Sequence, residues 1–257
     1  MRVRRICTIG ALALTMLASG AVVAEGSPRA GTGPVPASGN ANFVSACRFS
    51  HRAPDDPIVF PGQPGASHSH DFFANTTTDA NSTLVSLLAG DTTCNRSEDT
   101  AAYWVPTLSR DGVAVRPIMV NAYYTPRGKK AMAPFPAGLR IIAGDSRATS
   151  PQPLMITSWS CGPNGGVRDQ SSPPQCTARN FLRMHVRFPD CWDGTNLDSA
   201  DHRSHMAYSR RGACPSSHRV GVPSLRLNVV YPILGGPGLS LASGGVYSGH
   251  ADFFNAW

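Results

Sequence analysis

Apolar and polar positions alternate along much of the chain. Leu182, Met184, Val186 and Phe188 alternate with Arg183, His185 and Arg187, and Leu225, Leu227, Val229 and Tyr231 alternate with Arg226, Asn228 and Val230. A period of two places one set of side chains on a core and the other outside it. The pattern predicts strands over residues 182–188 and 225–231, with Leu182, Met184, Val186 and Phe188 facing inward. Residues 113–124, 139–143 and 154–161 are further strand candidates, rich in Val, Ile, Tyr and Trp. Pro117 inside the first of these predicts an edge or a bulge, because proline has no N–H to give a ladder. Turn chemistry such as Pro163-Asn164-Gly165-Gly166 separates the runs. No long run has apolar residues spaced by three and four. The expected class is therefore mainly β, a sandwich or jelly-roll-like core with long loops.

The first residues follow another pattern. Arg2, Arg4 and Arg5 precede an apolar run from Ile6 to Leu17, and Val22-Val23-Ala24 supplies small residues for cleavage. This is the pattern of a secretory signal peptide over residues 1–24. The run falls short of the ~20 residues that span a bilayer, so no stable membrane anchor is expected after cleavage. Residues 25–40 are Gly, Pro, Ser and Ala with almost no bulky apolar side chain, and are expected to be a disordered lead-in. Residues 41–257 are read as a single domain, since no second linker of this composition follows.

Charged residues make up only 15% of the chain, against roughly 25% on average. The formal net charge is +7; cleavage after Ala24 removes three of the 23 basic residues and leaves 20 against 16 acidic ones. That excess is small, and no Arg cluster interleaves with aromatics, so nucleic acid is not an expected partner. The six cysteines beyond residue 24 are Cys47, Cys94, Cys161, Cys176, Cys191 and Cys214. An even count in an exported chain predicts three disulfides. Sequence does not choose among the pairings; local closure favours Cys47–Cys94, Cys161–Cys176 and Cys191–Cys214. No Cys-x-x-Cys points to a zinc ribbon.

Histidines carry the candidate chemistry. His68 and His70 form His-Ser-His, and in extended backbone residues i and i+2 project from one face, so two imidazoles can chelate one ion. His202 and His205 lie in Asp201-His202-Arg203-Ser204-His205, a second spacing suited to a shared ligand. His250 precedes Ala251-Asp252, and His70 precedes Asp71, so each has a carboxylate near in sequence that can orient its ring. The candidate metal ligands are His68, His70, His202, His205 and His250, for one divalent ion. Asp71, Asp201 and Asp252 join them as candidate catalytic groups. His51, His185 and His218 are single and read as structural. Asp190, Asp193, Asp198 and Asp201 could supply an acid–base pair for glycoside cleavage, although Asp-Gly and Asn-Leu-Asp are also turn sequences. The aromatic residues could stack on sugars and are more often core.

Several stretches resemble a known family. They include Asp56-Pro57-Ile58-Val59, Ser67-His68-Ser69-His70, Tyr103-Trp104-Val105-Pro106 and Phe135-Pro136-Ala137-Gly138-Leu139-Arg140. The longest runs over residues 188–208 and contains Asp201-His202-Arg203-Ser204-His205, and His250-Ala251-Asp252-Phe253 completes the set. In order and content they resemble the secreted domain-of-unknown-function family DUF1996, which in fungi is often joined to WSC carbohydrate-binding domains. The resemblance implies a secreted, wall- or polysaccharide-associated domain and transfers no catalytic assignment. It does place all five candidate histidines inside its motif blocks.

The leading expectation is a secreted, extracellular enzyme with a His/Asp-rich site, a hydrolase or lyase acting on a polysaccharide or cell-wall polymer with help from a metal. The alternatives are a non-catalytic carbohydrate- or surface-binding module and a metal-binding wall protein. Convergence of the histidines discriminates among them.

Overall fold

The computed structural model describes residues 43–126, 128, 132–162 and 167–257. The signal-peptide and lead-in expectations, and the turn at Pro163-Asn164-Gly165-Gly166, lie outside the described residues. In chain order the strands are β1 (Phe43–Ala53), β2 (His70–Ala74), β3 (Ala102–Pro106), β4 (Leu108–Arg110), β5 (Val113–Ala114), β6 (Met119–Thr125), β7 (Arg140–Gly144), β8 (Thr157–Cys161), β9 (Leu182–Arg187), β10 (Cys191–Trp192), β11 (Met206–Ala207), β12 (Val220–Gly221), β13 (Ser224–Val230), β14 (Leu239–Leu241) and β15 (His250–Phe254). The mainly β class stands.

The main sheet has nine strands in the order β7-β15-β3-β2-β1-β6-β13-β9-β8. All its pairings are antiparallel. It makes two layers by doubling back through β1, whose register shifts between Phe49 and Arg52. Phe43 to Arg48 pair with β6, and Phe49, Arg52 and Ala53 pair with β2. A bulge of this kind bends the strand and re-aims it, which turns one sheet into two facing halves. At the far side β7 approaches β9. Two small sheets, β11-β10-β12 and β14-β4-β5, lie apart from the main one.

The core lies between the halves. Phe73, Tyr103, Ile141 and Phe253 from one half meet Val120, Met184, Leu225 and Leu227 from the other. Leu182, Met184, Val186 and Phe188 are all buried there, as their alternation predicts. The candidate strand over 113–124 is split into β5 and β6, with Pro117 in the gap. The candidate over 154–161 begins at Thr157 because residues 154–156 form a turn.

A second, smaller core covers the outward face of the β7-β15-β3-β2 half. It gathers Ile58, Phe72, Leu87, Trp104, Ile142 and Phe254. Leu87 comes from α1 (Leu84–Leu88), a single turn capped reciprocally by Thr83 and Ser86. So short a helix has no repeating apolar stripe to announce it. The three disulfides are Cys47–Cys94, Cys161–Cys176 and Cys191–Cys214, the pairings that local closure favours. No helix among the described residues is long and apolar enough to cross a membrane.

Candidate metal centre

The register of three strands builds the site. His70 lies opposite Pro106, while Phe72 and Asp252 both lie opposite Trp104, which sets His250 level with His70 across β3. His70 and His250 share the outward face with Phe72, Trp104, Asp252 and Phe254. His68 arrives from the loop that ends at β2. The His68 and His70 ring centroids are 4.3 Å apart, and those of His68 and His250 are 5.0 Å apart.

Hydrogen bonds fix the ring orientations. His70 donates Nδ1–H to the Asp55 carbonyl at 2.9 Å, and His250 donates Nδ1–H to the Ser248 carbonyl at 2.9 Å. A carbonyl oxygen can only accept, so both rings carry their proton on Nδ1 and hold an Nε2 lone pair. These two Nε2 atoms are 3.5 Å apart, and His68 Nε2 lies 3.2 Å from His250 Nε2. Ligands about 2.0–2.1 Å from a tetrahedral ion stand about 3.3 Å from one another. Backbone carbonyls that hold the far nitrogen are the usual support of metal-binding histidines.

Burial keeps the rings neutral. His70 is fully buried and His250 nearly so, and His68 is half-buried. Desolvation, followed by the nearby His250 and His68 rings, pushes the His70 pKa well below 6.5. Desolvation lowers His250 to about 3 and also lowers His68. Neutral imidazole is the form that binds a metal.

Two carboxylates adjoin the rings. One ligand atom from each of Asp56, His70 and Asp252 falls within 4.8 Å of the others, as does one from each of His68, His70 and His250. Asp56 Oδ1 accepts the backbone N–H groups of Ile58 and Val59, both at 2.9 Å, which folds residues 56–59 over the sheet and seats Ile58 in the second core. Asp252 is buried, and its Oδ2 has no hydrogen-bond partner. Desolvation and then the Asp56 charge push the Asp252 pKa well above the usual carboxylate range. Desolvation raises Asp56 as well. Arg203 opposes the shift at Asp252, and the His202 ring opposes it at Asp56. Two buried carboxyl groups so close together resist ionising, and a cation held beside them and the three neutral imidazoles would offset that cost.

The other candidates lie differently. His205 is engaged at both nitrogens, by Ser199 Oγ at 2.9 Å and the Arg140 carbonyl at 2.7 Å, and so leaves neither nitrogen open to an ion. His202 has a positive φ of 56° and binds Asp198 through Nδ1 at 3.0 Å. Its ring acts on the Asp56 carboxylate and is not part of the group formed by His68, His70 and His250. Asp71 points from the opposite face of β2, where Arg52 Nε meets it at 2.6 Å and Thr107 Oγ1 at 3.2 Å; the alternation that brings His70 to the site turns its neighbour away. Asp201 is spent on Ser199 Oγ and the backbone N–H groups of Arg203 and Ser204, which lower its pKa. Asp190 holds Ser209, and Asp193 closes the turn at Thr195 and Asn196. His51 and His218 bond backbone carbonyls, in keeping with structural roles. The cluster of Cys47, Cys94 and Asp99 is not a metal site, because its cysteines are joined to one another.

Asp56 is the partner that the histidine spacings do not reveal. It reaches the site on a loop, and only its place in Asp55-Asp56-Pro57 hints at a turn-forming carboxylate.

The model of the family described as Domain of unknown function (DUF1996) matches residues 56–257, a span that begins at Asp56 and contains every other residue of the site. No curated protein and no solved structure matches.

Proposed function

The chain belongs to the DUF1996 family, and for this member we propose a metal-dependent function. His68, His70 and His250 bind one divalent transition-metal ion through Nε2, and Asp252 and Asp56 supply the adjoining carboxylates. The observation that carries this reading is the facing pair of unprotonated Nε2 atoms on His70 and His250, 3.5 Å apart. Three imidazoles and a carboxylate suit zinc or a neighbouring ion. Such an ion activates water or polarises a substrate oxygen. Asp56 and Asp252 hold or release a proton beside it, and His68 forms the solvent side of the cluster.

The protein in this reading is exported and acts on a polysaccharide or other cell-wall polymer. Three disulfides support export, because such bonds persist in oxidising compartments. Elemental analysis of the purified protein, paired with a screen on wall polysaccharides with and without chelator, tests the proposal. One equivalent of bound metal and a chelator-sensitive release of sugar support it; a metal-free protein contradicts it. A structural ion without turnover is the second reading, favoured by the near-complete burial of His70 and His250. Bound metal with no chelator-sensitive activity selects that one.

A further inference from the structure

The outward face of the other half of the sheet is polar across four strands. Asn121, Asn228, His185 and Ser158 form one cross-strand row over β6, β13, β9 and β8. Tyr123, Arg226 and Arg187 form the next. The residues between them in sequence, Ala122, Leu227 and Val186, point into the core. Asn228 and His185 of the first row and all three residues of the second line a depression of about 430 Å³, inside the roughly 300–1,000 Å³ range of small-molecule sites.

Its floor carries incomplete hydrogen bonding. Asn228 Oδ1 and His185 Nδ1 are buried with no hydrogen-bond partner, in residues each only 7% exposed. Buried polar atoms are nearly always satisfied, so two on neighbouring strands mark a place where something else completes them. His185 Nε2 meets Ser160 Oγ at 2.7 Å. Burial, and then the Arg226 charge, lower the His185 pKa to about 3, so the ring is neutral and offers a hydrogen bond without a charge.

The charge of this face is positive. Arg183, Arg187 and Arg226 lie on it, and Asp169 receives Arg226 Nη2 at 3.1 and 3.2 Å. Tyr123 lines one side of the depression with an aromatic ring. Guanidinium groups select carboxylates, neighbouring donors and acceptors suit hydroxyl groups, and an aromatic ring suits the apolar face of a sugar. One tyrosine is not the succession of stacking platforms that single-stranded nucleic acid requires.

We propose that this groove binds an acidic oligosaccharide, a uronate-bearing glycan whose carboxylate meets Arg226 and whose hydroxyls complete Asn228 and His185. The site uses none of the residues of the histidine cluster and does not depend on a metal.

Calorimetric titration of the full chain with sodium oligogalacturonate tests this. Neutral cello-oligosaccharide, inorganic phosphate and a single-stranded oligonucleotide serve as comparison probes. The expected result is saturable binding of the oligogalacturonate that weakens with salt and is the same before and after chelation. Arg226→Gln and Tyr123→Ala each weaken it by roughly tenfold, while His70→Ala leaves it unchanged. Equal binding of the neutral oligosaccharide, equally tight binding of phosphate or oligonucleotide, or an unaltered affinity in both groove variants overturns the proposal.

Discussion

His70 and His250 aim two lone pairs at one another across 3.5 Å, because each has given its Nδ1 proton to a backbone carbonyl. Burial resists protonation of either ring. The arrangement is repulsive on its own and is relieved by a cation between the rings. Two strands on either side of β3 pin it in place, so it is built into the sheet rather than left to a mobile loop.

Asp252→Asn separates the cost of the buried carboxylates from their use. A raised folded-state pKa means that Asp252 destabilises the fold as pH rises above its unfolded value near 4. At pH 7 the amide removes that burden. The metal-free variant is expected to melt about 2–4 °C higher than the parent, equivalent to roughly 1 kcal/mol, and to gain less on adding zinc. Calorimetric scans with and without chelator check both; a lower metal-free melting temperature contradicts the assignment.

Gly144→Ala tests how tightly β7 is held against the site. Gly144 has φ +80°, and a Cβ there would lie 2.4 Å from the Gly249 carbonyl oxygen and 2.9 Å from His250 Cα. Left-handed strain and a backbone clash together are expected to cost about 2 kcal/mol or more. Urea denaturation gives the loss in stability, and metal affinity is expected to fall with it, because His250 must move. An unchanged unfolding midpoint counts against the close approach.

Met184→Asp places an unpaired carboxylate in the main core, where Met184 is 1% exposed. The expected loss is about 4 kcal/mol or more. Circular dichroism against urea checks it, and native-like stability would show that β9 faces the other way.

Asp99 supplies a pH dependence remote from the histidines. Burial raises its pKa to about 6, opposed by Ser45, Tyr103, the Ala101 N–H and Arg96, and its carboxylate also meets the Tyr103–Tyr124 hydroxyl pair. The folded state holds this proton to higher pH than the unfolded chain does. Its stabilising contribution is therefore complete below about pH 4 and is lost as pH rises to about 6, a change of roughly 2–3 kcal/mol. Stability curves of the parent and Asp99→Asn, compared between pH 4 and 7, should diverge by this slope. Parallel curves would show that Asp99 titrates normally.

The sheet was legible where one face is apolar and the other polar, as in residues 182–188 and 225–231, because a period of two is visible without partners. Residues 113–124 misled because Pro117 divides two strands with different neighbours. His68-Ser69-His70 announced two ligands, since extended backbone repeats its direction every second residue. Asp71 did not follow His70 for the same reason. His202 and His205 have a suggestive spacing, but the turn that holds them consumes Asp198, Ser199 and Asp201 locally. Asp56 was hidden, because its role comes from a loop crossing β2 and β3, and no periodicity records such a crossing. The polar groove was half visible in Arg183, His185, Arg187, Arg226 and Asn228; only the register of four strands shows them as rows.

Zinc titration of metal-stripped protein by calorimetry at pH 7 tests the central claim most directly. The three-histidine centre predicts one ion per chain, loss of at least roughly tenfold in affinity in His70→Ala and in His250→Ala, and parental binding in His205→Ala, whose nitrogens are already engaged. Absence of binding in the parent, or parental affinity in His70→Ala and His250→Ala, would contradict it.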